Sequence, residues 1–410
     1  MIVPPEKAPS RALRNPNFAL FWVAQAISRF GDPITVIALA AITYQMTRSA
    51  LYTSAAVLVA TLPQATFGFF AGAIADAIGF RRAMIAADIA RAFLIGAIPL
   101  LLGLGAPLAV AYGLVLVAAL CGAVFNPARV ALVPALLSPD ELVSGNAAVY
   151  ATDRTVEILG AVAAGLLVAS LGVNVFYVDA VTFVLSALLM LEVTVEEGPP
   201  RRISLDSALR QARGGLRFLR ESSVLLANTV FSLLAQLSLP VLNGLLPVLI
   251  FRRFGTSAPD QGASLFGFAE AGIAAGAVFG AVVVARLPSS VGKGRLLVWG
   301  FAACGASLIA VAVAPTFEML LLALVVTGIT NVLFYVPNIA ILQQNTPAEI
   351  RGAVVGARIS LLSLSWLPIV LVGGALADVV DVAVLIALAG VFTVGVALIG
   401  SRLRVLTSVP

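Results

Sequence analysis

Ten charged side chains stand inside long apolar runs of the sequence, and they are the residues best able to do chemistry. Six are acids and four are arginines: Asp32, Asp88, Asp153, Glu157, Asp179 and Glu270, and Arg29, Arg91, Arg154 and Arg358. A charged group in hydrocarbon costs at least about 2.5–3.5 kcal/mol on insertion scales, so each one must be compensated. Because the acids outnumber the arginines, we expect some acids to carry a proton or to face water.

Three of these arginines have an acid three residues away, a spacing that puts both charges on one face of a helix. The pairs are Arg29 with Asp32, Asp88 with Arg91, and Arg154 with Glu157. We expect Asp88 and Arg91 to form a structural pair. For Asp32, two interpretations stay open, a proton carrier and a permanent structural partner of Arg29.

A carboxylate that changes its protonation between two conformations is the minimal device for coupling the movement of a substrate to a proton gradient. The sequence contains no histidine, so carboxylates are the candidates with a suitable pKa range. The proton-coupling candidates are Asp32, Glu157 and Glu270, and their charge partners or cavity-lining cations are Arg29, Arg154 and Arg358. For the group around Arg154, the alternative is a purely structural salt bridge.

The elements that carry these charges must be membrane helices. Of the 410 residues, 60% are hydrophobic and only 11% are charged, whereas soluble domains have roughly 25% charged residues. Apolar runs long enough to cross a hydrocarbon core of roughly 30 Å recur along the chain, and they lack the alternation of barrel strands. The prediction is an all-α membrane protein with twelve transmembrane helices in two pseudo-symmetric six-helix halves.

The longest polar interruption divides the predicted spans into two equal blocks. The spans are 18–44, 50–74, 83–102, 108–128, 146–171, 175–193, 223–250, 263–285, 295–314, 317–337, 352–376 and 382–400. Residues 1–193 thus form an N-terminal half, 194–222 a cytoplasmic linker, and 223–410 a C-terminal half. Leucines at helical spacing predict an amphipathic linker helix, either on the inner leaflet or simply solvated.

The basic residues between the spans set the orientation. Only Arg48, Arg252 and Arg253 face outward when the N-terminus is inside, and the other basic loop residues, with Arg129 among them, face the cytoplasm. This asymmetry obeys the positive-inside rule. We therefore expect a multi-pass protein of the bacterial inner membrane with both termini in the cytoplasm and no removable signal peptide.

The segment after the second span combines small and charged residues: Gly72, Asp76, Gly79, Arg81 and Arg82. Glycines allow a tight turn and close helix approach, an aspartate can cap a helix N-terminus, and arginines stay at the inner surface. The segment resembles the Gly-x-x-x-Asp-x-x-Gly-x-Arg-Arg signature of the major facilitator superfamily. The resemblance implies an inner gate in which Asp76 leans on the start of the eleventh span. The alternative is a tight turn with ordinary positive-inside arginines.

Further segments extend the resemblance over nearly the whole chain. They are Arg14-Asn15, Ser28 to Asp32, Asp88 with Arg91-Ala92, and Asn126 to Arg129 with Pro134. They are similar to the branch that contains macrolide and siderophore exporters. The resemblance implies a secondary transporter that exports a hydrophobic or amphiphilic small molecule, by proton antiport with alternating access. Its expected partners are that substrate, protons and the lipid bilayer, and we expect a monomer.

Other functions remain as alternatives or are disfavoured by missing residues. A proton-coupled uptake permease for a nutrient and a non-transporting sensor or scaffold stay open. An enzyme is not expected, because metal-binding histidines are lacking and the only lysines, Lys7 and Lys293, lie outside the spans. The basic residues lie in loops between spans, so nucleic acid is not an expected partner. We expect no metal, no cofactor and, without a phosphate-binding loop, no use of ATP.

Overall fold

The computed structural model describes residues 12–195, 205–255, 259–287, 291–347 and 350–407, which are helices and short connections without a strand among them. The all-α prediction is therefore confirmed for the described residues, whereas Lys7, Arg11, Arg201 and Arg202 lie outside them. The helices are Pro16–Thr47 (α1), Ala50–Thr66 (α2), Gly68–Ile78 (α3), Phe80–Gly103 (α4), Leu108–Leu136 (α5), Leu142–Leu171 (α6), Val175–Glu192 (α7), Leu205–Glu221 (α8), Ser223–Ala235 (α9), Ser238–Arg253 (α10), Pro259–Arg286 (α11), Lys293–Val313 (α12), Phe317–Gln344 (α13), Arg351–Ala377 (α14), Val382–Ser401 (α15) and Arg404–Thr407 (α16).

Many of these helices are long and apolar enough to cross a bilayer. In the described part of the chain, ten helical segments meet that requirement, and the shorter apolar helix Ala50–Pro63 is additional to them. Two of the ten, Leu142–Glu192 and Ser223–Arg253, each contain two helices. Because each segment must satisfy its backbone hydrogen bonds internally, helices are the form expected in lipid. The chain is a multi-pass membrane protein.

The fourth predicted span is longer than the sequence indicated. Its predicted end at residue 128 is wrong, because α5 continues to Leu136 with Pro127 and Pro134 inside it. A proline disfavours helical geometry in the residue before it, which is why Asn126-Pro127 suggested an end. The helix persists because its last turns bury Leu132 and pair Arg129 with an acid of α6. Arg129 therefore lies in a helix and not in a cytoplasmic loop.

Two other predicted spans are broken helices. The span 50–74 consists of α2 and α3, which meet at Phe67, and the span 223–250 consists of α9 and α10. Pro240 explains the second break, since its ring clashes with the carbonyl of the residue four positions earlier, Gln236. The Gln236 carbonyl instead accepts a hydrogen bond from the Leu239 amide at 3.2 Å.

The helices group into two compact units whose division falls within α1 and α2. The first unit comprises Met1–Ala38 and Val59–Ser204, and the second comprises Leu39–Leu58 and Leu205–Pro410. Only the described residues of each are discussed below.

The core of the first unit is apolar, and a polar side chain beside it bonds the end of a helix. Phe18, Phe21, Phe125 and Met190 are buried in one cluster drawn from α1, α4, α5 and α7. Beside it, the Asn15 amide nitrogen donates to the Leu136 carbonyl at 2.8 Å. Such bonds satisfy carbonyl groups that helix ends leave without intrahelical partners.

The second unit relies on close helix crossings. In α11, a Cβ on Gly276 would overlap the Val325 carbonyl of α13, and a Cβ on Gly328 would overlap the Ile273 carbonyl in return. Small residues let helix backbones approach in this way and are typical of membrane helix packing. The amphipathic helix α8 belongs to this unit, where Leu219 is buried and Gly215 lies against the Ala353 carbonyl. The linker helix thus packs on the start of α14.

The crossing of α11 and α13 yields a stability test. Gly276→Ala inserts a methyl group where the Val325 backbone lies, so we expect a loss of about 1–3 kcal/mol, the usual range for overpacking. The measurement is the thermal unfolding midpoint of the purified protein in detergent. Gly395→Ala is the matched control, because a Cβ on Gly395 has no neighbour within 4 Å. Equal midpoints for the two variants would contradict the crossing.

Candidate functional site

The embedded charges of the first unit meet around Arg91 of α4. One guanidinium nitrogen of Arg91 bonds Asp32 of α1, and another lies 3.5 Å from Asp88 Oδ1. The Ser28 hydroxyl donates to Asp88 Oδ1 at 3.0 Å, and the Arg91 guanidinium lies 3.8 Å from the centre of the Phe183 ring. Arg91 thus holds two carboxylates from two helices.

The same pairing continues from Asp32 to α5 and α6. Arg29 Nη1 lies 3.2 Å from Asp32 Oδ2, and its Nε lies 3.9 Å from Asp153 Oδ1. Arg129 Nη1 donates to Asp153 Oδ1 at 2.8 Å and to Gln25 Oε1 at 2.8 Å. We call the alternating series Asp88, Arg91, Asp32, Arg29, Asp153 and Arg129 the charge chain.

Helix α1 positions the charge chain through its periodicity. Gln25, Ser28, Arg29 and Asp32 stand at relative positions 0, 3, 4 and 7, so they form one stripe along the helix. The spacing of Arg29 and Asp32 predicted their contact. Sequence reasoning missed Gln25 and Arg129 as members of the site. The local signals were the place of Gln25 four residues before Arg29 and the place of Arg129 in the family-like segment Asn126 to Arg129.

A further carboxylate stands beside the charge chain, and no arginine of the described residues is bonded to it. Asp179 of α7 is fully buried and accepts hydrogen bonds from the hydroxyls of Thr35 and Thr182. A Cβ on Gly31 would overlap its carboxylate, so the glycine lets α1 approach it closely. Phe183, whose ring packs against the Arg91 guanidinium, lies one helical turn after Asp179 in α7. Asp179 therefore neighbours Arg91 while bonding neutral groups.

The charge count of this region follows from the contacts. The charge chain has three acids and three arginines and is neutral as a set. Asp179 adds one acid. An isolated ionised carboxylate is costly in an apolar interior. Among the described residues of this cluster there is one more carboxyl group than there are arginines, which is the arrangement that can bind one proton.

The remaining candidate charges lie apart from the charge chain or outside the first unit. Arg154 Nη1 lies 2.6 Å from Glu157 Oε2 on α6. The two side chains are 35% and 46% exposed, respectively. Glu270 lies partly buried in α11 of the second unit. Arg358 of α14 is buried in the second unit and donates to Asn338 and Ser232. The functional roles of these residues stay predictions.

The Gly72–Arg82 segment is helical on both sides of a single break. It is the end of α3 and the start of α4, with a sharp break at Gly79, whose φ is 94°. That backbone geometry favours glycine. Arg81 Nε and Nη2 donate to the carbonyls of Met190 and Leu191 at 3.0 and 2.6 Å, so Arg81 caps the end of α7. A Cβ added to Gly72 would stand 3.9 Å from the Cβ of Pro127.

A separate polar contact joins the start of α2 to the end of α14 in the second unit. The Asp378 carboxylate accepts hydrogen bonds from the Ala50 amide at 2.6 Å and the Ser49 hydroxyl at 2.8 Å. Arg252 adds a bond to the Ala377 carbonyl at 2.6 Å. Burial alone would raise the pKa of Asp378, but these bonds and the nearby guanidinium hold it below its ordinary value.

Close packing continues along α2 from this contact. The Ser54 hydroxyl donates to the Gly244 carbonyl at 2.8 Å, and a Cβ on Gly374 would stand 2.9 Å from the Leu51 backbone. No cluster of metal-binding side chains occurs among the described residues. The carboxyl groups of the charge chain and of Asp179 are groups that can bind protons, and the Asp378 contact holds helix ends together.

Comparisons with known proteins agree with this architecture. A family model described as transmembrane secretion effector, of the major facilitator superfamily, matches residues 7–409. Multidrug efflux pump Tap of Mycolicibacterium fortuitum is 26% identical over 363 residues, covering 85% of this chain and 86% of that protein.

Two solved structures share the fold. The POT family transporter PepTSo has a TM-score of 0.75 and 12% identity, covering 94% of this chain and 97% of its own. The nucleoside transporter NupG has a TM-score of 0.74 and 11% identity, covering 94% of this chain and 99% of its own. With a matched family model over almost its entire length, the chain belongs to the transmembrane secretion effector family of the major facilitator superfamily.

Proposed function

We propose that this protein is a secondary active transporter that exports a hydrophobic or amphiphilic small molecule, such as a drug, a macrolide or a siderophore-like compound, by proton antiport. Membership of a secretion effector family and the likeness to a protein named a multidrug efflux pump support export. The observation that carries proton coupling is the buried carboxyl group of Asp179, which exceeds the neutral charge chain by one acid.

The proposed topology has twelve spans in two six-helix halves, 1–193 and 223–410, joined by the linker 194–222. Both termini lie in the cytoplasm and the protein resides as a monomer in the bacterial inner membrane. The positions of Arg48, Arg252 and Arg253, next to helix ends on the expected outer side, support this orientation. Alternating access then requires the outer and inner ends of the spans to open in turn.

Arg91 is the proposed switch of the coupling site. In the structure it bonds Asp32, while Asp179 bonds hydroxyl groups and holds the proton in our proposal. If Arg91 turns toward Asp179, it favours the ionised form of that carboxylate, and Asp32 becomes the better proton site. One proton can thus pass between two carboxyl groups that share one arginine. Asp32 takes the first of the two roles that the sequence left open, that of a proton carrier, and Asp179 joins it.

The other candidates keep supporting roles in this proposal. Glu157 and Glu270 remain secondary proton-coupling candidates, and Arg29, Arg154 and Arg358 are charge partners or cavity-lining cations. Asp88 and Arg91 form a structural pair, in which Asp88 is the partner of the switch arginine on its own helix. Gly72, Asp76, Gly79, Arg81 and Arg82 form the inner gate.

The contact of Asp378 with the start of α2 is the proposed outer latch. It binds the amide groups of a helix N-terminus, where a carboxylate is stabilised by the helix dipole. Opening toward the outside would have to break it, because α2 and α14 would separate there. The latch is therefore a contact whose loss favours the outward-open state.

Proton coupling is tested with everted membrane vesicles that contain a pH-sensitive dye. We expect ethidium, tetracycline or erythromycin to dissipate an imposed proton gradient in vesicles with the wild-type protein. Asp179→Asn and Asp32→Asn should reduce that response to the level of vesicles without the protein, because neither amide binds a proton. Glu221→Gln, which removes an exposed acid of α8, is the control and should leave the response intact.

Energy-independent exchange of labelled tetracycline separates coupling from binding. Asp179→Asn imitates the protonated carboxyl group, so we expect exchange to persist while gradient-driven transport is lost. Absence of any gradient response in wild-type vesicles refutes antiport for these compounds. A full response in Asp179→Asn removes that residue from the coupling site.

If the outer latch exists, the equilibrium between its closed and open states should not depend on pH above the ordinary pKa range of an aspartate. The pKa of Asp378 is lowered in the contact, so its charge favours the contact above the ordinary aspartate range, and this advantage disappears as the pH falls through the lowered pKa. Asp378→Asn removes the charge at every pH and should favour opening.

The measurement uses Ser54→Cys in a background with Cys121→Ser and Cys304→Ser, because Ser54 is fully buried. An impermeant maleimide added outside should label it about three- to ten-fold faster after Asp378→Asn, given the usual strength of a partly exposed charged hydrogen bond. Without that substitution the labelling rate, divided by that of free cysteine at the same pH to correct for the thiolate fraction, should be equal at about pH 5 and pH 8. Asp381→Asn, which affects only the cap of α15, is the control. Unchanged labelling after Asp378→Asn would exclude the latch.

A further inference from the structure

Arg358 is a buried cation whose partners among the described residues are neutral. It lies in α14 with 1% of its surface exposed, and its Nη2 donates to Asn338 Oδ1 at 2.6 Å and to Ser232 Oγ at 2.9 Å. Among the described residues, no carboxylate forms an ion pair with it. An arginine keeps its charge at any physiological pH. A charge so deeply buried is costly without an opposite charge.

The surroundings of Arg358 contain hydrogen-bonding groups that are not satisfied within the described chain. Arg358 Nε and Asn338 Nδ2 are buried donors without an acceptor, and Asn228 Oδ1 and Thr229 Oγ1 are buried atoms without a partner. The Asn228 amide nitrogen reaches the Asn338 carbonyl at 3.4 Å, which ties α9 to α13 beside the arginine. Buried polar groups are rarely left in this state, and those that are need an explanation.

The chemistry of this cluster selects an anion. Arginine offers a planar fork of N–H groups that matches the two oxygens of a carboxylate. The amide group of Asn338 supplies a further donor next to it. We propose that Arg358, Asn338 and Ser232 form a binding site in the second unit for the carboxylate of an amphiphilic substrate. Binding neutralises the arginine and supplies the acceptors that its Nε and the Asn338 amide lack.

The proposal names the substrate class of the export function proposed above and rests on that function for the ligand's role as cargo. The arginines of the first unit provide the contrast. Arg91 and Arg29 each face two acids, and Arg129 faces one. An added carboxylate would gain little beside them. Among the embedded arginines in the described residues, Arg358 is the one that would gain its first negatively charged partner from the carboxylate of a ligand.

The test measures the thermal unfolding midpoint of the purified full chain in detergent at about pH 7.5, with benzoate as the probe and benzamide as its neutral isostere. Benzoate should raise the midpoint of the wild-type protein by about 2–5 °C at saturation, and benzamide should not. Arg358→Gln should abolish the benzoate effect. Arg358→Lys keeps the charge without the fork, so it should keep a weaker effect.

A second variant keeps the test decisive if Arg358→Gln does not fold. Asn338→Asp places a carboxylate beside Arg358, so we expect a higher midpoint without ligand and no further rise with benzoate. No benzoate effect in the wild-type protein, or an equal effect in Arg358→Gln, overturns the site. An equal rise with chloride or acetate assigns the site to free small anions and overturns the substrate assignment.

The outcome is independent of proton coupling. A benzoate effect with no gradient response in vesicles refutes antiport and leaves the carboxylate site standing. A gradient response without a benzoate effect does the reverse.

Discussion

The cost of holding a charge away from water is the constraint on which the rest of this structure depends. In the first unit it is met by alternation, since every arginine of the charge chain contacts an acid and every acid of the chain contacts an arginine. Removing one member of a buried pair leaves the other uncompensated, which is more costly than the pair was favourable. The charge chain therefore links α1, α4, α5 and α6 through ion pairs.

The two units meet the constraint differently. The first has one acid more than the charge chain needs, and the second has an arginine whose described partners are neutral. The second unit also relies on glycine crossings, as at Gly276 and Gly328, which need no polar groups. The two units thus carry unequal chemistry. A carrier with proton handling in one unit and ligand charge in the other matches the proposed export function.

The sequence revealed what is local and missed what depends on packing. Contacts between residues three apart, such as Arg29 with Asp32, follow from helix geometry alone. The bond between Arg91 and Asp32 and that between Arg129 and Asp153 join different helices, so spacing could not reveal them. Arg129 was placed in a loop because Asn126-Pro127 resembled a helix end. Counting it among the embedded cations gives six acids and five arginines, so the predicted surplus of acids falls from two to one.

A surplus of one acid connects protonation to helix position. Any proton that enters or leaves the cluster changes its net charge by one, and the low-dielectric surroundings cannot screen that change. The neighbouring group able to respond is Arg91, which stands between Asp32 of α1 and the α7 turn that carries Asp179. Because Gly31 brings α1 against Asp179, a shift of the arginine alters contacts between these helices. In the proposed cycle, proton binding is therefore itself a change in how α1 packs on α4 and α7.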